Sequence, residues 1–341
     1  MQKNGVVVLA GKEYNTIISN EVEDKENDYD KSTVYNKIAY QCISAWKEML
    51  NTINSYDPCS GAYCFYHDNA STIMFEWPKI YGNISGIACH SNGNCAVVNF
   101  SKSHVYILNA EHNIINDIDV RGKCARPAAV AFDVGGNLYV TDIKNGVILT
   151  YDHYGNFLFH FGGKESGDGK LKCPIGISVH RGFVYIADSH NGCIAVFQTD
   201  GKFHRAIGKG VLGKPHDVCV DNQIAVADMG HKCVYIFTIT GDYLMKYSST
   251  RHYSGKLYRP HCLTMFNSFI FVVDSYNHKV LAFNASGVCA YRFSFGSARC
   301  CKIRSPPQAV AVSPQGTLII SDHHDRCIHE FPISEFRERK I

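Results

Sequence analysis

Five short apolar runs in this chain of 341 residues end in Asp, and each Asp opens the pattern Asp-x-x-(Asn/His/Asp). The copies start at Asp142, Asp188, Asp228, Asp274 and Asp322, and a degenerate sixth starts at Asn99. The steps between them are 43, 46, 40, 46 and 48 residues. A period of this size predicts a propeller or a solenoid. One such unit cannot bury its apolar surface alone and must stack on its neighbours.

The internal order of each period decides between the two. In the second, apolar runs lie at 128–132, 138–141, 147–151 and 157–161, with turn residues such as Gly135, Gly136 and Gly155 between them. Four short runs separated by turns read as four antiparallel strands. The same segments recur from Ile175, Val218, Leu263 and Ala309, and more loosely from Ile87. Residues 80–341 are therefore expected to form an all-β, six-bladed β-propeller.

The remainder reads differently. Residues 1–31 hold an acidic run and are expected to be disordered. Residues 32–54 place Val34, Ile38, Ala45, Trp46, Met49 and Ile53 at helical spacing. That amphipathic helix docks on the rest of the chain or pairs with a second copy, which makes it a route to oligomers. Residues 55–79 form a linker. Its segment 71–77 is strand-like and is expected to complete the last blade, with 336–341 as the rival.

The net charge of +3 divides unevenly. Residues 1–79 carry 7 Lys against 11 Asp/Glu, and residues 80–341 carry 27 Lys/Arg against 20 Asp/Glu. The repeat region is thus basic, which points to an anionic partner. No apolar run approaches the roughly 20 residues of a membrane span, so no membrane is expected among the partners. The chain starts with only a short apolar stretch, and its 15 cysteines are an odd number. Both suggest thiols in a reducing compartment and a cytoplasmic location.

Adjacent strands of a blade run antiparallel, so the Asp loops share one end of the ring with the residues that precede each inner strand. That end gathers Arg126, Lys172, Lys214 and Arg259, each just before a Pro or one residue further upstream. The loops add Lys144, Lys232, Lys279 and Arg326, with Tyr276 among them. The turns of the opposite end, with Asp133, Asp200, Asp221 and Asp242, are neutral or acidic. Asp142, Asp188, Asp228, Asp274 and Asp322 read as scaffold, because a short acceptor at such a turn takes nearby backbone amides. Cys193, Cys233 and Cys327 occupy one equivalent strand position and read as small apolar filling.

The unit Arg126-Pro127, the run ending in Thr141-Asp142, then Asn145, Gly155 and Phe161-Gly162-Gly163, resembles the NHL repeat. The resemblance covers residues 80–341. It implies a propeller like the NHL domain of TRIM-NHL translational regulators, whose Asp-loop end docks RNA or protein. It thereby implies RNA contacts for Arg126, Lys144, Lys172, Lys214, Lys232, Arg259, Tyr276, Lys279 and Arg326. Phosphates would meet the cations, and bases of a single strand or hairpin would stack on Tyr276 or on histidine rings. A protein adaptor in a ubiquitin-ligase-linked pathway is the alternative. The chain departs from the family in one place. The Arg usual two residues after the loop Asn is replaced by Val147, Cys193, Cys233, Lys279 and Cys327. The paired-Cys patterns of RING and B-box modules are absent as well, so no intrinsic ligase activity is expected. Peptide-amidating lyases share this propeller class and hold zinc with histidines. For that third reading His216, His261 and His323 are the candidate ligands. The preferred reading is non-enzymatic, with no cofactor and no metal.

Overall fold

The computed structural model describes residues 63–65, 80, 82–163, 169–247, 256–294, 306–322 and 328–333. The acidic leader 1–31, the helix expected over 32–54 and both candidate closing segments, 71–77 and 336–341, lie outside these residues. One short strand, β1 (Tyr63–Phe65), precedes the repeats.

Six sheets follow in chain order. Blade one is β2 (Ile84–Cys89), β3 (Cys95–Asn99), β4 (His104–Leu108) and β5 (Ile114–Asp119). Blade two is β6 (Pro127–Phe132), β7 (Leu138–Asp142), β8 (Val147–Tyr151) and β9 (Phe157–Gly162). Blade three is β10 (Pro174–His180), β11 (Phe183–Asp188), β12 (Cys193–Gln198) and β13 (Phe203–Ile207). Blade four is β14 (Pro215–Val220), β15 (Ile224–Asp228), β16 (Cys233–Phe237) and β17 (Tyr243–Tyr247). Blade five is β18 (Pro260–Phe266), β19 (Phe269–Asp274), β20 (Lys279–Phe283) and β21 (Cys289–Ser294). Blade six shows β22 (Pro307–Val312), β23 (Thr317–Asp322) and β24 (Ile328–Pro332) among the described residues. The strands of each blade are hydrogen-bonded in chain order and antiparallel. The expected six-bladed all-β propeller is what the chain forms. Among the described residues no helix is long and apolar enough to cross a membrane.

The strands differ by position, and burial explains why. The second strands β3, β7, β15 and β19 are buried along their whole length. They lie between two neighbouring blades, so both faces are covered and the sequence reads as a continuous apolar run rather than an alternation. Fully burying one such Val, Leu or Ile contributes about 1.5–3 kcal/mol. The core is accordingly a set of inter-blade clusters. One joins Tyr185, Ile194 and Val196 of blade three to Val218, Ile224 and Val226 of blade four. The outer strands β5, β9 and β17 are mostly exposed.

Side chains pin several blades to the next at the end away from the Asp loops. Asn116 donates to the Tyr154 carbonyl, and Arg205 to the carbonyls of Ile239 and Thr240, all at 2.6 Å. Tyr247 Oη reaches the Ala285 carbonyl at 3.1 Å. The inner strands approach closely enough that a Cβ on Gly176 would overlap Asp217 of the neighbouring blade.

Strand β1 was not anticipated. It pairs parallel with β21, the outer strand of blade five, in the register Tyr63↔Tyr291, Cys64↔Arg292 and Phe65↔Phe293. Three residues are too few to show a strand period, so only the partner edge defines it.

A candidate nucleic-acid interface at the Asp-loop end

The loop aspartates are wholly buried, as is Asn99 in blade one. Each aspartate of blades two to five takes two backbone amides from the segment leading into its own inner strand. Asp142 accepts from Ala125 and Arg126 at 2.8 and 3.1 Å, and Asp188 from Lys172 and Cys173 at 3.0 and 2.9 Å. Asp228 accepts from Gly213 and Lys214 at 2.6 and 2.9 Å, and Asp274 from Tyr258 and Arg259, both at 2.9 Å. The fourth loop residue closes the staple. The Nδ2 of Asn145, Asn191 and Asn277 lies 2.7 Å from its aspartate, and His231 Nδ1 lies 3.2 Å from Asp228. The following Pro has no N–H to offer, so the amides before it are the ones available.

This staple has a consequence for charge. In four blades the residue donating its amide to the buried aspartate is Arg126, Lys172, Lys214 or Arg259. Its backbone is fixed and its side chain stands on the rim. All four are exposed, as are Lys144 and Lys232 in the loops, while Lys279 is half-buried. The strand register puts them at one end, because Pro127, Pro174, Pro215 and Pro260 pair with the four aspartates. Arg326 lies outside the described residues.

Tyr276 is 66% exposed. It stacks on Tyr258 at 5.4 Å with the planes 20° apart. The ammonium groups of Lys232 and Lys256 lie 5.0 and 5.2 Å from the centre of the Tyr258 ring. Arg126 sits similarly over Phe100, at 5.3 Å. Sequence reasoning named Tyr276 but missed Tyr258, Lys256 and Phe100. The position of Tyr258, next to Arg259-Pro260 at a strand start, was the available signal. Lys232 adopts a positive φ of 56°, an uncommon conformation for a Lys.

Two of the histidines proposed for metal, His216 and His261, lie in the wall of the central channel. His216 Nδ1 bonds the His261 carbonyl at 2.7 Å, and His261 Nδ1 bonds the Gln308 carbonyl at 3.0 Å. The two rings are 4.0 Å apart. Burial, reinforced by the Arg259 charge, lowers the His216 pKa to about 4. His323 lies outside the described residues, and among those described no group of three or more His, Cys, Asp or Glu is placed to hold a metal ion. Asp217 beside them is buried, and burial pushes its carboxyl up to about 6. Its oxygens accept from the Val218 and Leu263 amides, both at 2.9 Å. Burial likewise raises the Cys193 and Cys233 thiols to about 11.

Residues 171–197, the heart of blade three, match the family model for the NHL repeat. The propeller is of the NHL type. The chain is 30% identical over 138 residues to Protein brain tumor of Drosophila melanogaster and 28% identical over 138 residues to the B-box type zinc finger protein ncl-1 of Caenorhabditis elegans. Those stretches are 39% of this chain, but 13% and 16% of the two relatives, so the NHL-type chain spans a small part of their length. Among solved structures it resembles virginiamycin B lyase from Staphylococcus aureus, with a TM-score of 0.53, 16% identity, and coverage of 76% of this chain and 87% of the lyase. A chain of the nidogen/laminin complex gives a TM-score of 0.51 at 19% identity, covering 62% of this chain and 80% of that one. At such identities the fold alone is shared.

Proposed function

We propose that this NHL-type propeller is a non-enzymatic binding platform that docks single-stranded or hairpin RNA on its Asp-loop end. The observation that carries this reading is the Tyr258–Tyr276 stack beside Lys232 and Lys256, with Lys214 and Arg259 exposed on the same end. An exposed aromatic face takes any base, and cations around it take the phosphates on either side. The resemblance to proteins with an NHL region supports a regulatory role for the bound complex. Duplex DNA is disfavoured, since among the described residues this end consists of short loops and presents no helix to a major groove.

The test is anisotropy of the full chain with a pool of short unstructured RNAs. Raising salt from about 50 to about 200 mM is expected to weaken binding by about 50-fold, the release expected for about four phosphate contacts on a single strand. Replacing Arg126, Lys214 and Arg259 together by Ala is expected to flatten that dependence. Affinity that ignores both salt and the triple substitution sinks the RNA reading.

A second reading, a protein adaptor in a ubiquitin-linked pathway, draws on a different surface. Tyr243, Leu244 and Met245 of the outer strand β17 are 50%, 41% and 39% exposed. Crosslinking from that strand to a protein partner, with RNA affinity absent, would favour it.

A further inference from the structure

The six inner strands enclose a channel of about 610 Å3, within the range of small-molecule sites. Its walls are not uniform. The residue that pairs with the loop Asp or Asn in each blade is followed by one that lines the mouth: Ser85, Ala128, Ile175, His216, His261 and Gln308. In ring order, blades four, five, six and one contribute polar groups, and blades two and three contribute Ala128 and Ile175. Arg126 and Arg259 line the same cavity from opposite blades.

Two details favour a ligand over packing alone. Ser85 Oγ is buried and has no hydrogen-bond partner, a costly state for a hydroxyl. The His216 and His261 Nδ1 atoms lie against carbonyl oxygens, which fixes those nitrogens as donors. In the neutral ring Nε2 is then an acceptor, and the lowered pKa of His216 keeps that ring neutral. A cation is disfavoured by the two arginines, and both carboxylate oxygens of Asp217 are already taken by amides.

We propose that the channel mouth binds a small hydroxylated anion. Its acidic group pairs with Arg259, under the added field of Arg126. Its hydroxyls donate to His216 Nε2 and meet Ser85 Oγ, and its carbon skeleton lies on Ala128 and Ile175. A phosphate ester and a hydroxy-carboxylate share this chemistry.

Calorimetric titration of the full chain separates the two. The probes are ribose 5-phosphate, gluconate, ribose and inorganic phosphate. Saturable one-to-one binding of ribose 5-phosphate, of gluconate or of both is expected. Ribose and inorganic phosphate should bind at least about tenfold more weakly, a difference of about 1.4 kcal/mol. Ser85→Ala, a minimal change, should weaken the favoured probe several-fold and His216→Phe should abolish binding, while Tyr276→Ala leaves it unchanged. Thermal melts confirm that each variant is folded, and Ser85→Ala decides alone if His216→Phe is not. Absence of saturation by either hydroxylated anion up to about 10 mM overturns the proposal. So does equal binding of ribose or of inorganic phosphate, or binding lost in Tyr276→Ala but kept in Ser85→Ala. The RNA reading stands or falls separately, since its test uses neither the channel hydroxyl nor these probes.

Discussion

The two ends of the propeller solve the same problem in different ways. At the end away from the Asp loops, hairpin turns cap themselves. Asp133 accepts from Gly135 and Asn137, Asp152 from Tyr154 and Asn156, and Asn284 from Ser286 and Val288, all within five residues. At the other end a buried carboxylate reaches back 14–17 residues, to the segment that starts its own inner strand. A self-capped turn uses its own residues for structure. A stapled loop holds its backbone through amides and so leaves the side chains of Arg126, Lys172, Lys214 and Arg259 free to carry charge. That is the physical reason for one basic end.

The largest expected difference between the ends is in stability. Asp228 takes amides from Gly213, Lys214, Gly230 and His231. Asp228→Ala leaves several of them unpaired and should cost about 3–4 kcal/mol in urea unfolding, at about 1–3 kcal/mol for each group that water cannot reach. A loss below about 1 kcal/mol would remove the staple from the account.

Inside the channel, Asp217 and His216 make stability depend on pH in opposite senses. The folded state holds the Asp217 proton up to about pH 6, whereas a free Asp releases it near 4. Between those values the folded state binds more protons, so this group makes stability fall as pH rises. His216 works in the opposite sense. Its pKa drops to about 4 from an unfolded value near 6.5, so its contribution is lost as pH falls through that window. Each arm amounts to about 3 kcal/mol, and the two largely cancel. Asp217→Asn should therefore steepen the rise of stability from about pH 4 to 6 relative to wild type, and His216→Gln should make it decline. Parallel profiles for both variants and wild type would disprove the two shifts. The slope is the quantity to read, because the Asp217→Asn change also turns an amide group toward a backbone N–H.

Much of this was legible in the sequence, for identifiable reasons. The period set the blade count, and the buried second strands announced themselves as unbroken apolar runs such as 270–273. The end shared by Arg126, Lys214 and Arg259 followed from strand direction alone. Other features depend on contacts between segments far apart in the chain. Tyr258 meets Tyr276, 18 residues away, only because a staple brings a strand start against a loop. Strand β1 is defined by an edge more than two hundred residues downstream. The split of the channel mouth into polar and apolar halves appears only when six equivalent positions are set side by side. No local pattern marks Ser85 or Gln308.

Aromatic stacking gives a smaller effect that still separates the ends. Replacing Tyr258 and Tyr276 by Ala should weaken RNA binding by about 1–3 kcal/mol per base lost from the stack. The exposed Lys202, in a turn of the far end, should be replaceable by Ala without effect on anisotropy. Equal losses at the two ends would mean that charge is read without regard to face.

The smallest effect is expected where the turns cap themselves. Asn284 Oδ1 accepts from the Ser286 and Val288 amides at 3.1 and 3.0 Å, and that turn faces solvent. When Asn284→Ala removes the acceptor, water can replace it at both amides. The cost should then be only about 0.5–1 kcal/mol, the net value of an ordinary hydrogen bond. Urea midpoints of Asn284→Ala and Asp228→Ala, measured side by side with equal slopes, give the ratio directly. If Asn284→Ala proved as costly as Asp228→Ala, solvent access would not be what distinguishes the two ends, and the loop aspartates would lose their special standing as staples.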